Sequence, residues 1–224
     1  MPQVDATAPR DRDGGPQGSP RAGGSSSEQV VRYFEQEFGP VDSRSLTEIV
    51  PTTEPPVRVH VVRPNPRSGC VTLFTTGLSS RPMTVPEGAE DYRFAELFVQ
   101  LPADWPVELA DLSGSEHGWP AAWLRVLAGV PRAEGTWLGG GGSTIASADP
   151  PVPFSPGLPF TVAWLVAERS LVREDANAVQ LYRFVPITTE EWKLVQRDGV
   201  AALGAAFDSA EVQMVVDPTR KSAA

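Results

Sequence analysis

The sequence predicts an α+β (mixed α/β) fold, a single domain with a central mixed β-sheet flanked by helices. Three observations carry this expectation. Residues 57–62 and 70–76 carry a period-two pattern and read as a hairpin, and 160–167 and 179–186 read as two further strands joined by a charged turn. Helical stretches with recognisable starts stand apart from those pairs, and no segment repeats another. Adjacent strands with segregated helices are the signature of this class.

The first 27 residues are rich in Gly, Pro and Ser and hold no aromatic, so burial cannot offset their ordering entropy and a disordered tail is expected over 1–27. Ser25 and Glu28 then form a capping box, and Val30, Val31, Phe34 and Phe38 fall on one helical face that Gly39-Pro40 stops. Val57, Val59 and Val61 alternate up to Pro64, and Pro64–Gly69 turns the chain into Cys70–Thr76, so a hairpin is predicted. Tyr92–Leu101 suits either a strand, with Tyr92, Phe94, Glu96 and Phe98 on one face, or a helix. Trp119-Pro120 starts a helix that places Trp123, Leu124 and Leu127 at helical spacing and ends before Gly129 and Pro131. Gly139–Pro159, with four consecutive glycines and five prolines, reads as a long loop. Two strands follow, over 160–167 and 179–186, across a turn containing Glu174, Asp175 and Asn177. Thr188 and Glu191 form a second capping box, after which helical sequence runs to about Phe207 and a short strand is expected at Val212–Val216. The domain is thus expected over 28–217, with a second disordered tail at 218–224.

Composition removes several functions. Twenty-eight acids against 19 Lys plus Arg give a net charge of −9, the wrong sign for a binder of nucleic-acid phosphates. One cysteine, Cys70, and two separated histidines, His60 and His117, leave neither a disulfide framework nor a zinc ligand set. No run long enough for a membrane span and no secretory start is present, so a cytoplasmic protein is expected, with no membrane and no nucleic-acid partner. The oligomeric state is not encoded in any pattern we recognise.

Nor does any motif assemble an enzyme. Gly139–Gly142 with Ser143 and Thr144 lacks the lysine and the following helix of a phosphate loop. Ser113, Ser115, Glu116 and His117 are the residue types of a hydrolase triad, but sequence neighbours do not converge on one centre. Gly77-Leu78-Ser79-Ser80-Arg81 misses the nucleophile elbow by its last residue. Glu190 and Glu191 are explained by helix capping, and Glu87, Glu90 and Asp91 by a solvated turn. Glu96, on an aromatic strand face, requires a partner, for which Arg81 and Arg93 are the candidates. No catalytic residue, cofactor or metal is therefore expected.

An ordered set of short motifs runs from about Glu28 to Phe207. It comprises Thr75-Thr76-Gly77-Leu78-Ser79-Ser80-Arg81-Pro82-Met83, Pro86-Glu87-Gly88, Ala95-Glu96-Leu97, Leu101-Pro102, Trp119-Pro120, Thr136-Trp137-Leu138-Gly139, Asp149-Pro150 and Leu181-Tyr182-Arg183-Phe184-Val185-Pro186-Ile187-Thr188 with Glu190-Glu191. This set resembles the Suppressor of fused-like domain family in its bacterial single-domain form. The resemblance implies a mixed α/β domain used for protein binding rather than catalysis, a strand at 92–101, and Gly77, Ser79, Arg81, Pro82 and Glu96 as structural signature residues. It also implies a histidine after the Trp-Leu-Gly motif, where this chain has Gly142 and Ser143. Bacterial relatives suggest an immunity protein that neutralises a toxin by stoichiometric binding. A hydrolase with its site near the glycine-rich loop and an accessory or chaperone subunit of a secretion assembly are the alternatives. The expected partner is a protein, a basic toxin being the natural candidate for an acidic chain, and the expected contact residues are Trp137, Gly140, Gly141, Gly142, Ser143, Ile145 and Asp149.

Overall fold

The computed structural model describes residues 26–43, 46–47, 56–107, 116–173 and 175–224. Its elements are α1 (Ser26–Phe38), β1 (Leu46–Thr47), β2 (Arg58–Val62), β3 (Val71–Thr76), β4 (Phe94–Leu101), α2 (Trp119–Glu134), β5 (Ser143–Ala146), β6 (Phe160–Val172), β7 (Ala178–Thr188), α3 (Thr189–Asp198) and α4 (Val200–Ser209). The strands form one seven-stranded sheet in the order β1-β2-β3-β4-β7-β6-β5. Neighbours pair antiparallel except β4 and β7, which run parallel over Phe94–Phe98 and Val179–Arg183. The mixed sheet expected from neighbouring strands with separated helices is therefore present.

Both faces of the sheet are covered, because alternate residues of each central strand are apolar. On one face α2 lays Trp119, Leu124, Leu127 and Ala128 against Val59, Leu73, Leu97, Leu165 and Phe184. On the other, α1 buries Val30 and Phe34 on Phe74, Phe94 and Phe98, while Leu203 and Phe207 of α4 cover Val162, Trp164, Val185 and Ile187. The Phe34 and Phe74 rings stack at 4.0 Å. Burial on both faces explains why β3 is buried along its whole length and reads almost without alternation.

Several boundaries differ from the sequence reading. Ser26 and Ser27 belong to α1, while Ser25 of the expected capping box and the rest of the expected tail lie outside the described residues. Tyr92 sits in a 3-10 turn, Glu90–Tyr92, and the strand starts at Phe94. α2 passes through Gly129 and Pro131 to Glu134, because Leu127, Ala128 and Pro131 are all buried; Gly135, left-handed at φ 59°, caps it. The expected loop 139–159 contains strand β5. No strand forms at Val212–Val216: the Val216 amide donates to the Gln100 carbonyl at 2.9 Å, and Val212 and Met214 pack on the α4 cluster. Residues 218–224, expected to be free, dock through Arg220, Ser222 and Ala223, whose groups bond to Glu191 and Thr188. The second capping box is as expected, with Thr188 Oγ1 accepting from the Glu191 amide and Glu191 Oε2 accepting from the Thr188 amide.

Candidate partner-binding surface

The stretch from Trp137 to Pro159 is built as a braced edge. Leu138 is buried and Trp137 is half-buried against the α2 core, its ring 5.9 Å from that of Tyr92 in an edge contact. The Tyr182 hydroxyl donates to the Gly139 carbonyl at 2.6 Å. Three of the four glycines at 139–142 thread a close approach. A Cβ on Gly139 would lie 1.7 Å from Ser143 Oγ, one on Gly141 3.0 Å from Ala167 Cβ, and one on Gly142 3.1 Å from Val200 Cγ1. All three have positive φ, 84°, 96° and 81° respectively, a conformation that side chains disfavour. Gly140 alone has ordinary φ and room, since a Cβ there would lie 3.6 Å from the Tyr92 ring.

This bracket delivers β5 to the outer edge of the sheet. Ile145 packs toward α2 and Ala146 toward α4, so the short strand touches both cores. The Ser147 amide donates to Thr161 O at 3.0 Å, and Ile145 pairs with Ala163. By the alternation of an antiparallel ladder, the N–H and C=O of Thr144 and Ala146 then face outward. Among the described residues no strand covers that edge. Beyond it, Ser147 Oγ donates to Val152 O at 2.5 Å and accepts the Val152 amide at 2.9 Å, closing a tip on which Asp149, Pro150 and Pro153 are exposed and Val152 is 51% exposed. Phe154 ends the excursion in the core, 4.3 Å from Trp123, whose indole donates to its carbonyl. The Glu87–Asp91 turn borders the start of this stretch, since Tyr92, next after it, meets the Trp137 ring edge-on.

The signature residues form a second cluster. Glu96 is fully buried and accepts from Thr75 Oγ1 at 2.6 Å, the Gly77 and Ser79 amides at 2.9 Å each, and Ser79 Oγ at 2.7 Å. Its partners are therefore hydroxyls and amides rather than the expected Arg81 or Arg93; Arg81 and Pro82 are exposed. Burial pushes the Glu96 carboxyl above the ordinary range, against the pull of the Thr75, Ser79 and Gly77 donors. Gly77 has φ 108°, and a Cβ there would meet Pro56 O at 2.6 Å. Because Ser79 Oγ is held by Glu96 and by Ser26 Oγ at 2.9 Å, it is not an exposed nucleophile. Ser113 and Ser115 lie outside the described residues; His117 stands edge-on to Trp105 at 5.6 Å. His60 stacks on Phe74 and shares a 2.8 Å hydrogen bond with Thr76, while burial, with Arg58 beside it, lowers it to about 4. It is neutral packing material. Among the described residues no three metal-ligating side chains gather, and no helix is long and apolar enough to cross a membrane.

Sequence reasoning missed one constellation, the pairing of Arg220 with Glu191. No local signal marks it, since the two residues are joined only by the folded chain.

A seven-stranded mixed sheet with one parallel seam, helices on both faces and a buried carboxylate collecting the 75–79 turn defines a helix-covered α/β domain. The Suppressor of fused protein (SUFU) family profile matches residues 53–221, and the chain belongs to that family. A crystal structure of a SUFU homolog from Neisseria gonorrhoeae FA 1090 is similar at TM-score 0.60 and 16% identity, over 88% of this chain and 96% of that one. The Sufu–Fu complex structure is similar at TM-score 0.60 and 14% identity, over 88% and 91% respectively. A search among curated proteins finds no matching sequence.

Proposed function

We propose that this protein is a cytoplasmic, non-enzymatic interaction module that binds a protein partner stoichiometrically through the braced edge from Trp137 to Pro159. The observation that carries the reading is β5: a sheet edge with outward main-chain groups, fixed in place by Gly139, Gly141 and Gly142 rather than left to fluctuate. Such an edge can receive an extended partner segment through main-chain hydrogen bonds. Ser143 and Ile145 set its register on β6, while Trp137 meets the Tyr92 ring, Gly140 lies near it and Asp149 stands on the exposed tip. Membership in the Suppressor of fused family supports a binding role. With a net charge of −9 and the Glu87–Asp91 turn beside the start of that stretch, a basic partner fits, and within a bacterial cell an immunity protein that neutralises a basic toxin is the reading we favour.

The test begins with affinity capture from native cells and reconstitution of the complex from purified components. A fixed stoichiometry is expected, with association that slows as salt rises and dissociation that changes little, as for charges at an interface rim. Thr144→Pro removes one outward N–H without touching the β6 ladder and should weaken the complex at least about tenfold. Ile145→Asp should do the same, with circular dichroism confirming the fold. Unchanged affinity in folded Thr144→Pro and Ile145→Asp proteins, or catalytic turnover of the partner, would overturn the proposal.

A further inference from the structure

Arg220 is held as guanidinium ligands are held in built recognition sites. Its Nη1 donates to Glu191 Oε1 at 2.5 Å and its Nη2 to Oε2 at 2.8 Å, a two-pronged pairing that a lysine cannot copy. Nη2 also donates to the Pro186 carbonyl at 3.1 Å. The guanidinium carbon lies 5.0 Å from the centroids of both Phe160 and Phe207, so the cation meets two aromatic rings. The receiving groups belong to β6, β7, α3 and α4, outside the segment that brings Arg220. With that segment in place Glu191, in the first turn of α3, has no exposed surface; Phe160 and Phe207 are buried in separate cores on β6 and α4.

The delivering segment is different in kind. After the Val216 amide bonds to Gln100, residues 217–224 form no helix or strand, and Asp217, Thr219, Lys221, Ser222 and Ala224 are exposed. Apart from Arg220, its bonds to the domain are the Ala223 amide to Glu191 Oε1 and a hydroxyl contact of Ser222 with Thr188. The occupant is thus attached mainly through the Arg220 side chain, with Ala223 packed beside it on the α4 cluster. If that side chain leaves, the Glu191 carboxylate loses its two-pronged partner, and an arginine that restores the fork restores the lost pairing. Of common side chains, only arginine satisfies the fork, the carbonyl and both rings together.

We propose that Glu191, Phe160, Phe207 and the Pro186 carbonyl form an arginine-recognition site, occupied in cis by Arg220 and open to the arginine of another peptide segment when residues 217–224 lift away. The site is separate from the β5 edge, and its test uses no partner protein, so either reading can fail alone.

Full-length Arg220→Ala and Arg220→Lys proteins test it. Arg220→Ala should lose about 10 °C in Tm. Ethylguanidinium should restore most of that loss and ethylammonium should not; if the variant does not fold unaided, refolding with ethylguanidinium alone is the same readout. A labelled peptide with the sequence of residues 214–224 should bind Arg220→Lys about tenfold or more tighter than wild type, whose own tethered arginine competes at high effective concentration. The same peptide with lysine in place of its arginine should bind neither. Wild-type Tm in both variants, equal rescue by the two cations, or peptide binding indifferent to its arginine would each overturn the proposal.

Discussion

Glu96 and Glu191 are both buried carboxylates, yet their surroundings drive them in opposite directions. Burial comes first at Glu96 and raises it; the donors from Thr75, Ser79 and Gly77 only moderate the effect. At Glu191 burial also pushes upward, but the Arg220 guanidinium and the amides of Thr188 and Ala223 outweigh it and hold the carboxyl below its ordinary value. The linkage signs follow. Glu191 contributes stability that is present above about pH 4.5 and is lost as pH falls through its depressed value. Glu96, ionising later in the folded state than in the unfolded one, contributes stability that is present at lower pH and declines as pH rises through its raised value. Urea unfolding at pH 4.5 and 7.5 should therefore show Glu96→Gln gaining relative to wild type at the higher pH, and Glu191→Gln losing.

The neutral replacement at Glu96 is tolerable for a geometric reason. The Gly77 and Ser79 donors all meet Oε1, which an amide oxygen can replace, while Thr75 Oγ1 at Oε2 can turn to accept from an amide nitrogen. Glu96→Ala has no such recourse: it strands the buried Gly77 and Ser79 amides, although Ser79 Oγ keeps Ser26 and Thr75 Oγ1 keeps Leu97, and should cost about 3 kcal/mol. Glu96→Gln should cost less than half as much, which denaturant titration at pH 7 resolves.

Among the elements, the glycine bracket makes the sharpest local claim. Gly139→Ala must adopt a left-handed backbone and displace Ser143, so a loss of about 2 kcal/mol is expected. Gly140→Ala, one residue away with ordinary φ and van der Waals room, should change stability by less than about 0.5 kcal/mol. Equal behaviour of the two variants in thermal unfolding would show that the bracket does not brace the edge.

The same stretch marks the limit of sequence reading. The paired runs at 57–62 and 70–76, and at 160–167 and 179–186, were legible because each strand buries at least one face and carries its own turn. β5 was not: four residues between a glycine run and Asp149-Pro150-Pro151 have no length in which a period can appear, and the strand exists because β6 offers an edge. Pro131 was read as a stop because propensity says so, and the burial of its neighbours overrides that preference. The need of Glu96 for a partner was legible from its aromatic face; that hydroxyls and amides would meet it was not, because they come from a turn 17 to 21 residues earlier. Arg220 was wholly hidden, since its carboxylate lies 29 residues away and its two rings belong to β6 and α4.

At the scale of the whole molecule, the parallel pairing of β4 with β7 splits the sheet into two antiparallel halves, β1–β4 and β5–β7, each closed largely by contacts between segments near in sequence. Within the sheet the halves pair along Phe94–Phe98 and Val179–Arg183, where residues some 85 positions apart in sequence align, and α2 packs across both. Local hairpins form before distant pairings, because loop closure must be met before long-range contacts contribute. The seam is then the last joint to set and the first to part. Leu97→Ala and Leu181→Ala, which truncate buried side chains on its two sides, should speed unfolding in stopped-flow experiments while leaving the refolding rate nearly unchanged. Val61→Ala and Phe184→Ala, within the halves, should slow refolding. If those rates behave as expected, the lifetime of the molecule is set by the joint between its halves, with the five β4–β7 pairs at its centre, rather than by the packing within either half.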